Sequence, residues 1–184
     1  MNKDLAWKFI REYVPDPISI ILNSYSSCED FNQTSINIKL TVNDKPVEIE
    51  GVGVGLVDAG FNAFVGFFAR EYASLSTIRL SDVFFQIDTN HGRSLTLKSK
   101  TVMKLEFENA SKNKTLFESK TSSIGLTAIN VLSKAMQFYI NCEILFKRVK
   151  YLLKDAKSRN RSDIASRYEY VLTKVVEVTN YKDV

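Results

Sequence analysis

The sequence predicts an α+β fold built from two βββα units, their antiparallel sheets covered by helices, with further helices at the C-terminus. Runs in which apolar and polar residues alternate with period two occur in both halves of the chain. In each half a glycine- or serine-containing turn then gives way to an apolar run of helical period. Laying Asp58 over Thr127, an offset of 69 residues, brings the turn and the strand before it into near register between the halves.

Residues 2–13 suit a short helix carrying Leu5, Trp7, Phe9 and Ile10, stopped by Pro15 and Pro17. Residues 18–26 read as a strand and 27–34 as a polar connection. Ile36, Ile38, Leu40 and Val42 then alternate with Asn37, Lys39 and Thr41, and turn residues Asn43, Asp44 and Pro46 send the chain back through Val47 and Ile49. A helix over 56–72 closes the first unit. In the second, 78–88 reads as a strand, His91 lies in a polar turn, and Met103, Leu105 and Phe107 alternate with polar neighbours. A turn at 109–114 and a strand over 115–121 lead through Ser122 and Ser123 into a helix that is apolar nearly all round over 129–146. One sheet face cannot bury so much, so either a C-terminal helix or a second subunit is expected to pack on it. Ser162 is the expected N-cap of a last helix with Ile164, Tyr168, Val171, Leu172 and Val175 on one stripe. The two sheets are expected to join, with both main helices on one face. The organisation is thus a helical lead-in (1–16), the paired βββα units (17–142) and a basic helical extension (143–184).

At 184 residues the chain holds one sizeable core, and no apolar run reaches membrane-spanning length. The charged N-terminus lacks a signal-peptide pattern, so a cytoplasmic location is expected and the sequons at Asn32, Asn109 and Asn113 carry no weight. Cys28 and Cys142 are isolated, as packing residues usually are, and the single histidine excludes any site needing two. No P-loop is present. Residues 143–184 hold ten Lys or Arg against six acids, which accounts for the whole net charge of +4. That basic run reads as a solvated helix face, since no base-stacking or groove-reading motif accompanies it. Asp58, Glu48, Glu50 and His91 are the acid–base groups near the first turn, but spacing sets no pair of them to act together, so no catalytic residue, metal or cofactor is assigned.

Residues 50–68 carry the chemistry. Gly51, Gly53 and Gly55 alternate with Val52 and Val54, which suggests backbone of positive φ and a close approach by another group. Leu56 opens the helix, Asp58 lies in its first turn, and the free N–H groups there favour an anion. This pattern resembles the C-terminal regulatory domain of the 2-isopropylmalate synthase family, which includes citramalate synthase. The resemblance rests on Gly53-Val54-Gly55-Leu56-Val57-Asp58-Ala59 followed by Phe61-Asn62-Ala63, and extends through 75–82, 100–108 and 122–141. Leu56 stands where the family usually has proline, and Thr127 where the second half usually has aspartate.

What the resemblance implies is an allosteric, dimerising domain of branched-chain amino acid biosynthesis that binds leucine or isoleucine at the interface of two copies. In the family this domain follows a catalytic barrel, which needs about 250 residues; no Arg-Asp-Gly motif and no His-x-His pair occur here. The expectation is therefore a freestanding homodimeric module acting on a separate catalytic subunit. Its effector would meet Gly53, Val54, Gly55, Leu56, Val57, Asp58 and Ala59, with Ser122, Ser123 and Thr127 completing the pocket. The alternative is a dimerisation or partner-binding module without a ligand, working through 143–184.

Overall fold

The computed structural model describes residues 3–88 and 99–179. Their order is α1 (Lys3–Tyr13), β1 (Ile20–Glu29), β2 (Thr34–Val42), β3 (Lys45–Gly53), α2 (Leu56–Phe68), a 3-10 turn (Ala73–Thr77), β4 (Arg79–Asp88), β5 (Lys100–Glu108), β6 (Lys114–Thr121), α3 (Ile124–Ser158) and α4 (Ser162–Thr179). The fold is α+β, with two βββα units followed by α4. Both sheets are antiparallel meanders, β1-β2-β3 and β4-β5-β6, and the first strand of each has one register bulge, at Asn23 and at Ser81. The expected joining of the sheets does not occur among the described residues, because long helix α3 lies across β1, β5 and β6 and unites the units through its own faces.

Alternation decides which side of each sheet is buried. Ile36, Ile38 and Leu40 of β2 and Ile49 of β3 face α2; Met103, Leu105 and Phe107 of β5 and Phe117 of β6 face α3. Phe107, Phe117, Phe138 and Tyr139 meet edge to face in the middle, with centroids 5.4–6.1 Å apart, and Trp7 of α1 joins at Phe138. The rest of α3 is buried by α4 and α1, through Val171, Val175 and Val178 on one and Ala6, Phe9 and Ile10 on the other. Of the two ways sequence offered to cover that helix, the intramolecular one is realised.

Several boundaries differ from expectation. β1 continues through polar Ser27, Cys28 and Glu29, since its partner β2 offers a full ladder of hydrogen bonds and pairing overrides composition. The connection shrinks to four residues, where Asp30 accepts the N–H groups of Asn32 and Gln33 at 2.8 Å each; these bonds lower its pKa. Helix α2 stops at Phe68, where the N–H groups of Glu71 and Tyr72 both bond to Phe68 O in a turn, and Glu143 of α3 accepts the Ser74 N–H at 2.9 Å just beyond it. Ser162 is the first helical residue of α4, not its cap, and Ala165 N–H bonds to the Arg161 carbonyl instead. Helix α3 ends in a Schellman turn: Asn160 has φ 54°, its N–H bonds to Lys157 O, and Arg161 N–H bonds to Ala156 O. The turn containing His91 lies outside the described residues.

Candidate functional site at the paired helix N-termini

β3 delivers the chain to α2 through Gly51, Gly53 and Gly55. The expected positive φ is absent at all three, and Gly55 is extended, with φ −155°. Close approach is what the first two glycines permit. A Cβ on Gly51 would lie 2.3 Å from Ala59 O, and one on Gly53 would lie 2.4 Å from Ala59 N, so α2 rests directly on the β3 backbone. Gly60 lets α3 approach the same helix, with Leu132 Cδ1 at 2.8 Å from its Cβ position. Around Gly55 there is open space.

Gly55 is the N-cap of α2 and has no side chain to offer it. Asp58, three residues on, reaches back past the cap so that Oδ2 accepts the N–H of Val54, the residue before Gly55, at 3.0 Å. Asn62 Nδ2 donates to Val52 O at 2.9 Å and holds the strand end against the helix. Asp58 and Val54 are exposed, Leu56 and Val57 are half-buried, and Ala59 is buried under the helix. Thr34 stands opposite Gly53 in the ladder, and its hydroxyl is buried without a hydrogen-bond partner among the described residues.

The second motif is a hydroxyl cluster. Ser123 caps α3 by accepting Leu126 N–H at 3.4 Å, while Thr121 Oγ1 accepts Ser123 N–H at 3.2 Å. Fully buried Thr127 donates to Ser123 O at 2.6 Å, and its hydroxyl is 2.6 Å from that of Thr121. Ser122 is exposed. Thr127 thus serves the cap of its own helix, which the resemblance did not foresee.

The structure brings the two motifs together. A Cβ on Gly125 would lie 3.3 Å from Leu56 Cδ2 and 2.0 Å from the Tyr25 hydroxyl, so the first turns of α2 and α3 meet with Tyr25 of β1 in the seam. Tyr25 was not singled out from sequence; the one signal is a lone aromatic in the polar run 23–28. The exposed apolar residues Val54 and Ile124 flank Leu56 and Gly125 in the chain, whereas exposed Val52 lies on the face of β3 opposite Gly51 and Gly53. An open cleft of about 520 Å³ lies at the same end of the first sheet, bounded by Ser26, Cys28, Asn37, Glu50 and Val52, with Asn37 Nδ2 donating to Glu50 Oε1 at 3.0 Å. Cys28 is exposed there, contrary to the packing role expected of it, because both faces of β1 are open to solvent over residues 26–29; Cys142 is buried.

Among the described residues no group of three or more His, Cys, Asp or Glu is placed to hold a metal, and no helix is long and apolar enough to cross a membrane. In the basic stretch, Lys147 pairs with Glu143, Lys157 with Glu169, Arg159 with Asp155 and Arg161 with Asp163, as suits a solvated helix face. In comparisons with known proteins, no protein-family model and no curated sequence matches this chain.

Proposed function

We propose that the chain is a freestanding regulatory module that resembles the allosteric domain of 2-isopropylmalate synthases, binds a branched-chain amino acid at a dimer interface and modulates a separate catalytic subunit. The observation that supports this most is the meeting of the two motifs, since repeated βββα units set two helix N-termini side by side at Leu56 and Gly125. The N–H groups of the first turn of α2, uncapped by Gly55, suit the effector's carboxylate. Asp58 retains one oxygen for its ammonium group, and the orphaned Thr34 hydroxyl adds a buried polar group in the same cross-strand row as Gly53. The aliphatic side chain would lie against Val54, Leu56 and Ile124. A coupling of about 1–3 kcal/mol between effector and catalytic subunit is the usual scale for such control.

A second reading, a dimerisation or partner-binding module without a ligand, is favoured by the internal bonds of Asp58, Ser123 and Thr127. The form of it in which 143–184 is the working surface loses its apolar stripe, which α4 buries against α3.

Calorimetric titration with leucine, isoleucine and valine separates the two. One of them is expected to bind saturably, and Asp58→Asn, which keeps an acceptor for Val54 N–H but removes the charge, should weaken it about tenfold or more with unchanged melting temperature. No heat at millimolar ligand from folded protein would leave only the second reading.

A further inference from the structure

Strand β4 is an open sheet edge. Among the described residues it pairs with β5 alone, and Val83, Phe84, Phe85 and Ile87 are 43%, 49%, 48% and 36% exposed. Val83 and Phe85 stand opposite Leu105 and Met103, both buried core residues, so they extend the core-facing side of their sheet beyond its cover. The first unit shows what such a strand receives. Its counterpart β1 is covered by α3 over its first part, where Gln137 Oε1 accepts Ile20 N–H at 2.9 Å and Tyr25 rests on Gly125, and is exposed over residues 26–29. Helix α2 is the counterpart of α3 but has 13 residues against 35, and β4 receives no equivalent. A long apolar edge left bare invites pairing with another strand.

The sequence of that edge indicates which strand. Asp82-Val83-Phe84-Phe85-Gln86 has the same order of polar and apolar residues read in either direction from Phe84. A two-fold axis through Phe84 sets β4 antiparallel to itself, as an isologous contact between identical chains requires. Phe84 then meets the second copy's Phe84, Val83 meets Phe85 and Asp82 meets Gln86, so over these five residues apolar opposes apolar and no charge opposes its like, while beyond them Ser81 meets Ile87 and Leu80 meets Asp88. Centring on Phe85 instead would set Asp82 against Asp88, and centring on Val83 would set Asp82 against Phe84. A different protein has no reason to match this symmetry; a second copy of the chain matches it by identity.

We propose that two copies of this chain pair through β4 in the Phe84-centred register, making one six-stranded antiparallel sheet. The cross-strand row Ile87–Thr101–Thr121 leads from this edge to the second motif, where Thr121 meets Thr127. The pairing supplies a contact between copies about 10 Å, two strands, from that motif without itself enclosing the effector site, and rests on the proposed function for its biological sense.

The test uses the full chain with Cys28→Ser to remove the exposed thiol. At the two-fold axis the Phe84 Cα atoms lie about 4.5–5.5 Å apart, within disulfide reach, whereas the Gln86 positions are about 13 Å apart. Under copper–phenanthroline oxidation Phe84→Cys is expected to give a covalent dimer and Gln86→Cys none. In sedimentation velocity the parent is expected to be a dimer and Phe85→Asp a monomer of unchanged circular dichroism. A parent that stays monomeric up to millimolar concentration, a dimer that survives Phe85→Asp, or cross-linking at Gln86→Cys and not at Phe84→Cys overturns the proposal. The leucine titration is read separately: a monomer that binds leucine removes the β4 pairing and the dimer-interface form of the sensor but keeps amino-acid binding, while a Phe84-linked dimer without ligand heat keeps the pairing and removes the sensor.

Discussion

Replacing Gly51 by alanine drives a Cβ to 2.3 Å from Ala59 O, and replacing Gly53 drives one to 2.4 Å from Ala59 N; at Gly55 the same change meets open space. Each of the first two substitutions is expected to cost about 1–3 kcal/mol in urea denaturation, because backbone must yield to backbone. Gly55→Ala should change stability by less than about 0.5 kcal/mol. It therefore probes ligand approach with the fold intact. Spacing revealed that these glycines matter, but not why, since the near contact is with residues five to twelve positions further along, on a helix whose pose no local pattern gives. Asp58 was legible as a first-turn acid; its bond back to Val54 N–H was not, because that depends on Gly55 leaving the cap empty. Thr34 and Tyr25 gave even less notice: a lone hydroxyl or phenol in a strand is ordinary until the opposite face is known.

At the scale of elements, the link between α2 and β4 is held by a charge. Glu143 is fully buried on α3, accepts Ser74 N–H through Oε2 and lies 2.7 Å from Lys147 Nζ through Oε1. Glu143→Ala orphans that N–H and opens a small void, an expected loss of about 2–4 kcal/mol. Glu143→Gln keeps an acceptor and should lose less than half as much, and amide hydrogen exchange at Ser74 should accelerate in the first variant far more than in the second. Nothing in an apolar helical run marks Glu143 as buried, so its hold on the link after α2 is not legible in the sequence. The alternation in β2 and β5 was legible because one face is buried and the other wet, a contrast that β1 lacks over Ser26–Cys28–Glu29, where only the pairing partner makes it a strand.

Over the whole molecule, buried acids in the shared core set an alkaline limit. Burial pushes the Cys142 thiol and Tyr139 phenol well up from their ordinary values, and burial, with help from Glu71, pushes Tyr72 to about 12. The folded protein keeps these protons where the unfolded chain releases them, so stability is complete below the ordinary value of 9.0 for the thiol and falls as pH rises through it and then through 10.0 for the phenols. Denaturant midpoints measured at rising pH should decline from about pH 9 onward, and Cys142→Ala should delay the onset toward pH 10. The paired units were legible in the repeat of strand, turn and helix, whereas the separation of the sheets was not, since it follows from how far α3 reaches. That reach also brings distant parts of the chain to one place. Lys3 Nζ donates to Leu116 O at 3.0 Å, and at the other end Asn109 Nδ2 donates to Val178 O at 2.8 Å and Asn113 Nδ2 to Glu177 O at 2.8 Å, so the first helix starts and the last helix ends beside the β5–β6 hairpin. Chain order is therefore separable from architecture: a circular permutant joined across that hairpin by a short glycine–serine linker and opened in the Asp30–Gln33 turn is expected to fold to the same structure, with an amide fingerprint in NMR altered only around the old and new ends.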